Sequence, residues 1–149
     1  MAQLKFHAPT GEIALSANTA KTLLTIVAPS NIRVLLKGIE IFFKGTSSTD
    51  TPVKVDIFRF STDGTGTSQN FYVNDENAGE TVQTTGKNNY SAEPTLGNII
   101  KTWEIHPQTG LVVYFPPGEE IVIKGGNKLG IRATPTQSET VSLNGYLEE

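Results

Sequence analysis

The chain has 149 residues, of which 37% are hydrophobic and 18% charged, a length that fits one domain able to bury a core without disulfides or a structural metal. Its net charge is −3, and its twelve Lys and Arg are spread along the sequence. Phosphate recognition needs clustered basic residues, so no nucleic-acid partner is expected. Cysteine is absent, which excludes disulfides and thiolate metal sites.

The opening Met-Ala-Gln-Leu-Lys-Phe lacks the basic and apolar regions of a signal peptide, so the expected place of synthesis is a cytoplasm. No apolar run approaches the ~18 residues of a spanning helix, and no membrane partner is expected. Residues 1–9 read as an arm, because Leu4 and Phe6 alternate with polar residues as in a strand added to another sheet. Residues 10–149 read as one β domain. Glu12 to Leu15 is its first short strand, and Thr22 to Ala28 (TLLTIVA) its second, stopped by Pro29-Ser30-Asn31. From Ile32 to Phe43 the apolar positions Ile32, Val34 and Leu36 share one parity and Ile39, Ile41 and Phe43 the other. A strand changes faces only through an extra residue, so a β-bulge is expected near Gly38, with these six side chains mostly turned inward.

The polar loop Gly45 to Pro52 leads to Val53–Phe60, where Val53, Val55 and Ile57 alternate with Lys54 and Asp56. Phe58 breaks the alternation, which implies that a loop or a neighbour covers that end. Residues 62–97 are a long polar excursion in which only Phe71-Tyr72-Val73 resembles a strand core. Two readings stand: a polar hairpin with strands near Val73 and Val82, or an extension that packs on an adjacent subunit. After it come Ile99–Ile105, Leu111–Phe115, Glu120–Lys124, Leu129–Thr134 and Thr140–Leu147, separated by Pro- and Gly-rich turns. In the first of these, Ile99, Trp103 and Ile105 are expected on one face, with Trp103 buried. None of the interruptions can hold a crossover helix, so neighbours run antiparallel or hop between two sheets. The expectation is an all-β, two-sheet antiparallel sandwich of jelly-roll type with roughly nine strands.

Catalytic inventory is thin. His7 and His106 are the two histidines, far apart in sequence, whereas a cupin-type metal site needs closely spaced histidines and a third ligand. His106 precedes Pro107 and reads as a turn residue. No Gly-x-Ser-x-Gly elbow occurs. Glu119 and Glu120 are adjacent and would face opposite ways. Gly64-Thr65-Gly66 opens like a dinucleotide loop, yet Asp63-Gly64 reads better as a turn. Asn74-Asp75-Glu76-Asn77 lacks EF-hand spacing, and Asn89-Tyr90-Ser91 is a sequon without a secretory context. Trp103, Tyr114 and Phe115 lie in dense strand runs and read as core rather than a sugar-stacking platform. No enzyme, cofactor or metal is expected. Leu4, Phe6, Phe71, Tyr72 and Tyr90 lie in the arm and excursion, and are the expected assembly contacts.

Three segments carry a resemblance: Thr19–Phe43 (TAKTLLTIVAPSNIRVLLKGIEIFF), Ala92–Thr95 (AEPT) and Pro116–Ala133 (PPGEEIVIKGGNKLGIRA). Together they resemble small proteins encoded among the virion genes of tailed bacteriophages and prophages, including capsid decoration and other head-associated proteins. The likeness implies a jelly-roll module that forms a homo-oligomer, a trimer for example, on the outside of a particle. Its partners would be copies of itself and the major capsid or another virion protein, and its location the virion. The matching motifs are turn-and-strand patterns, so no functional residue is carried over. The competing reading is a tail- or fibre-associated module binding a glycan or host surface, which exposed, coplanar Trp103 and Tyr114 would favour.

Overall fold

β-branched and aromatic residues at period two become strands in the computed structural model, which describes residues 3–45 and 51–149. The described residues form twelve strands: β1 (Lys5–Leu15), β2 (Lys21–Val27), β3 (Val34–Phe43), β4 (Val53–Phe60), β5 (Thr65–Ser68), β6 (Tyr72–Val73), β7 (Lys87–Ala92), β8 (Ile99–Ile105), β9 (Gly110–Tyr114), β10 (Ile121–Ile123), β11 (Lys128–Thr134) and β12 (Glu139–Glu148). One sheet runs β10-β3-β12-β1-β6, with β9 following β10 along the same edge of β3. The other runs β5-β7-β2-β11-β4-β8. The nine expected strands are present, and β5, β6 and β7 within residues 62–97 make up the difference.

The pairing explains the jelly roll. β1 pairs with β12, β2 with β11, β3 with β9 and β10, and β4 with β8, all antiparallel. These are nested pairs of one long hairpin, and successive pairs alternate between the two sheets, which is how a rolled-up hairpin yields Greek-key connections. Residues 62–97 occupy its tip and extend both sheets, β7 adding beside β2 and β6 beside β1. Carboxylates tether the insertion. Both Glu93 oxygens accept the Thr22 N–H at 2.9 Å, and Glu149 accepts the N–H of Gln83 at 2.7 Å and of Thr84 at 2.9 Å.

The arm reading is corrected. Lys5–Pro9 is the first half of β1, paired with Glu148–Asn144, and Leu4 exchanges two backbone hydrogen bonds with Glu149. Leu4 and Phe6 are buried in the chain's own sandwich. A one-residue register shift between Pro9 and Glu12, with Gly11 at φ +70°, switches the inward parity from Phe6 and Ala8 to Ile13 and Leu15.

The bulge near Gly38 is present. Tyr146 pairs with Gly38 and Leu147 with Leu36, leaving Lys37 as the extra residue. Val34, Leu36, Ile39, Ile41 and Phe43 are all buried, whereas Ile32 lies before the strand and is half-buried. Phe58 faces outward yet is covered, as its ring sits over Gly130 on β11 with the Arg132 guanidinium 5.7 Å away. In β8 the expected face is broken by a register shift opposite Ile57 and Phe58. Ile99 and Ile100 are therefore both exposed, and Trp103 is half-buried rather than buried. Within the loop from Gly45 to Pro52, residues 46–50 lie outside the described residues.

Candidate interaction surface

Strand register assembles a row of rings on the outer face of the β1-containing sheet. Tyr114, Gly38, Tyr146, His7 and Tyr72 are successive cross-strand neighbours on β9, β3, β12, β1 and β6. Opposed residues in a ladder share a face, so the four ring side chains form one band, with the Tyr114 ring laid over Gly38. Tyr114 and Tyr146 have ring centroids 5.4 Å apart, and His7 meets Tyr146 edge-on at 4.8 Å. Tyr114 is 60% exposed and Tyr72 56%.

Glu40 lies beside this band. Its Oε1 accepts the Tyr146 hydroxyl at 2.6 Å and the Tyr114 hydroxyl at 2.9 Å. Among the described residues Oε2 has only Asn144 Nδ2, at the long distance of 3.5 Å. The Tyr146 hydrogen bond, helped by Tyr114, Asn144 and the nearby His7 ring, holds the Glu40 carboxyl below its usual range against the opposing effect of burial. The same carboxylate and then burial push the Tyr146 phenol up. The lysines on and just after β3 are engaged elsewhere: Lys37 with Glu120 at 2.9 Å and Glu148 at 3.6 Å, and Lys44 with Glu12. Among the described residues, no Lys or Arg forms an ion pair with Glu40.

A second surface follows the edges of both sheets. β8 ends one sheet, while β9 and β10 end the other on the same flank. Arg59 joins them, its backbone N–H donating to Asn98 O at 2.9 Å and its guanidinium to Val122 O at 3.1 Å. Lys101 Nζ lies 5.9 Å from the Trp103 ring and 5.7 Å from the Phe115 ring. Leu96, Ile99, Ile100 and Val122 are exposed along this flank, while exposed Val112 stands opposite Glu40 on the outer sheet face.

The expected assembly residues have different fates. Leu4, Phe6 and Tyr90 are interior, and Phe71 is half-buried against the core with its ring edge-on to Phe6 at 5.6 Å. Only Tyr72 is exposed. Tyr114 is corrected from core to surface, while Phe115 is buried. Trp103 is half-buried against the core on β8, whereas exposed Tyr114 lies on β9 of the other sheet, so the two are not both the exposed rings that would favour a glycan platform. His106 is exposed and accepts the Gln108 N–H at its Nδ1, 3.1 Å away, as a turn residue. Asp75 accepts the Asn77 N–H at 2.9 Å within its own turn. Glu120 sits before β10 and pairs with Lys37. Among the described residues no group of three or more His, Asp or Glu is placed to hold a metal ion. Comparison with protein-family models, curated proteins and solved structures gives no match.

Proposed function

We propose that this chain is a structural subunit that self-associates and decorates the outside of a bacteriophage capsid, bound to the major capsid or another virion protein. The observation that carries the self-association is the β8–β10 flank. Among the described residues the seven-residue β8 has a strand partner on one side alone, and four exposed apolar side chains, Leu96, Ile99, Ile100 and Val122, accompany this edge. Such edges are templates for pairing unless blunted, and clustered apolar exposure marks a partner surface. Each large aliphatic side chain buried there contributes roughly 1.5–3 kcal/mol before ordering costs. Repetition around an oligomer multiplies that gain. The virion assignment rests on the sequence resemblance together with a jelly-roll topology common among capsid domains.

Light scattering after size-exclusion chromatography tests the first part. The parent is expected to be oligomeric, and the Ile99→Ser/Ile100→Ser double variant monomeric with an unchanged β circular dichroism signal. A parent that stays monomeric at high concentration overturns self-association. Immunoblotting purified particles of the encoding phage tests the second, and absence of the chain from them overturns the virion role.

A further inference from the structure

We infer that the Glu40 site on the outer face of β3, β9 and β12 docks a cationic side chain, an arginine or lysine carried by an extended basic segment of a partner protein. β9 borders both surfaces, but the Glu40 site faces outward from its own sheet while Ile99 and Ile100 lie on β8 of the other sheet, so the inference does not rest on self-association.

Charge complementarity is the first argument. Glu40 is a half-buried carboxylate that two phenols keep ionised, and Lys37 and Lys44, on and just after its own strand, are committed to Glu120, Glu148 and Glu12. An ionised group in that position gains from an external cation. Hydrogen-bonding capacity is the second. Oε1 already accepts two hydroxyls, whereas among the described residues Oε2 has one long contact and retains room for an N–H donor. Ring electronics is the third. Phenols that donate to a carboxylate carry electron-rich faces, and Tyr114 offers an open one. A cation over such a face is attracted by the ring quadrupole. Guanidinium satisfies all three at once, stacking flat on Tyr114 while donating to Oε2.

Shape selects a segment rather than a small molecule. The band crosses five strands, roughly 19 Å at the ~4.8 Å strand spacing, which suits about six extended residues. It is flat and open, with Tyr72 at its far end as a further stacking surface. A saccharide would use the same rings but would gain little from the carboxylate charge.

The test follows backbone amide resonances of Gly38, Glu40, Tyr114 and Tyr146 during titration with Ac-Gly-Arg-Gly-Arg-Gly-NH2, the same peptide with Gln for Arg, and cellohexaose. The arginine peptide is expected to shift these four amides, and the glutamine peptide to leave them unmoved. Glu40→Gln, which preserves the acceptor for both hydroxyls, should weaken arginine binding by about tenfold. Tyr114→Leu should weaken it independently. Glu104→Gln, on β8 of the other sheet and with the same change in net charge, should leave it unaltered, and so should Ile99→Ser/Ile100→Ser. Thermal unfolding of each variant confirms that it is folded. Equal binding of the two peptides, undiminished binding by folded Glu40→Gln, or a response to cellohexaose alone would each overturn the proposal.

Discussion

Tyr90 donates its hydroxyl hydrogen to Asp63 at 2.7 Å, although the two residues lie on opposite sides of the hairpin formed by β5 and β7. Thr25 on β2 lies 2.8 Å from the same phenol oxygen, and Lys87 pairs with the other Asp63 oxygen at 2.8 Å. The network therefore pins the insertion to the sandwich, with Tyr90 itself only 2% exposed. Tyr90→Phe keeps the ring and removes the link, leaving a carboxylate short of a donor. The expected loss is about 2 kcal/mol at pH 7, read from urea unfolding.

Asp63 adds a pH signature. Burial pulls its pKa up, but Lys87, Tyr90 and the Gly64 N–H outweigh burial and hold it below the usual carboxylate range. A group depressed in the fold contributes stability that is complete above its unfolded value of about 3.9 and disappears as pH falls through the folded value. The parent should lose stability on acidification through that window, and Asp63→Asn should lose less there. Unfolding curves at pH 7 and pH 3 make the comparison, and an identical acid loss in both proteins would remove Asp63 from the account.

The Gly38 bulge makes a steric prediction. A Cβ at Gly38 would fall 2.5 Å from the Val113 carbonyl oxygen and 2.8 Å from the Tyr114 ring. The carbonyl belongs to the β9 backbone, which pairs with β3 and cannot move freely. Gly38→Val is expected to cost about 3 kcal/mol and to displace the Tyr114 ring from its place over β3. A variant as stable as the parent would mean that β9 yields without penalty.

Val53, Val55 and Ile57 announced a half-buried strand, and the parity change between Leu36 and Ile39 announced the bulge, because both signals are local and have period two. Leu4 and Phe6 show the same alternation, yet nothing local tells whether the partner strand belongs to the same chain. That partner is β12, more than a hundred residues away. The insertion was illegible for a related reason. β5 and β7 are mostly exposed and rich in Thr, Ser and Asn, so they carry almost no alternation. The Glu40 site is drawn from residues 40, 114, 144 and 146, and only strand register brings them together. Tyr114 offered one signal, its outward parity opposite Phe115, which core density in that run overrode.

Asp56 stands wholly buried on the outward side of β4, where Lys54 is exposed. Its carboxylate accepts Arg132 Nε at 3.0 Å and the Thr102 hydroxyl at 2.8 Å, joining β4 to β11 on one side and β8 on the other. Removing one member of a buried pair strands the other, so Asp56→Ala should cost about 3–5 kcal/mol. Replacing Asp56 and Arg132 together by apolar residues should cost markedly less than the two single changes summed. Additive losses in that double-mutant cycle would show that the pair does not act as a unit.

Glu139 carries the clearest liability in the fold. It opens β12 on the same parity as Val141 and Leu143, opposite Leu15, and so points into the sandwich. It is 8% exposed, and among the described residues neither carboxylate oxygen has a hydrogen-bond partner. Desolvation pushes its pKa up, because burial disfavours the charged form. A carboxyl whose pKa is raised in the fold weakens the protein at neutral pH, where it must ionise without a partner. That penalty fades as pH falls through the folded value and vanishes below the unfolded one, the reverse of the Asp63 case. Glu139→Gln removes the charge at constant shape, and Glu139→Leu also supplies apolar contact to Leu15. Both are expected to stabilise the protein at pH 7, by about 1 kcal/mol for Gln and more for Leu. At pH 4 the Gln gain should shrink toward zero while the Leu gain persists in part. Guanidinium unfolding at the two pH values separates the charge effect from packing. A Gln variant less stable than the parent at pH 7 would mean that the ionised carboxylate is favourably placed.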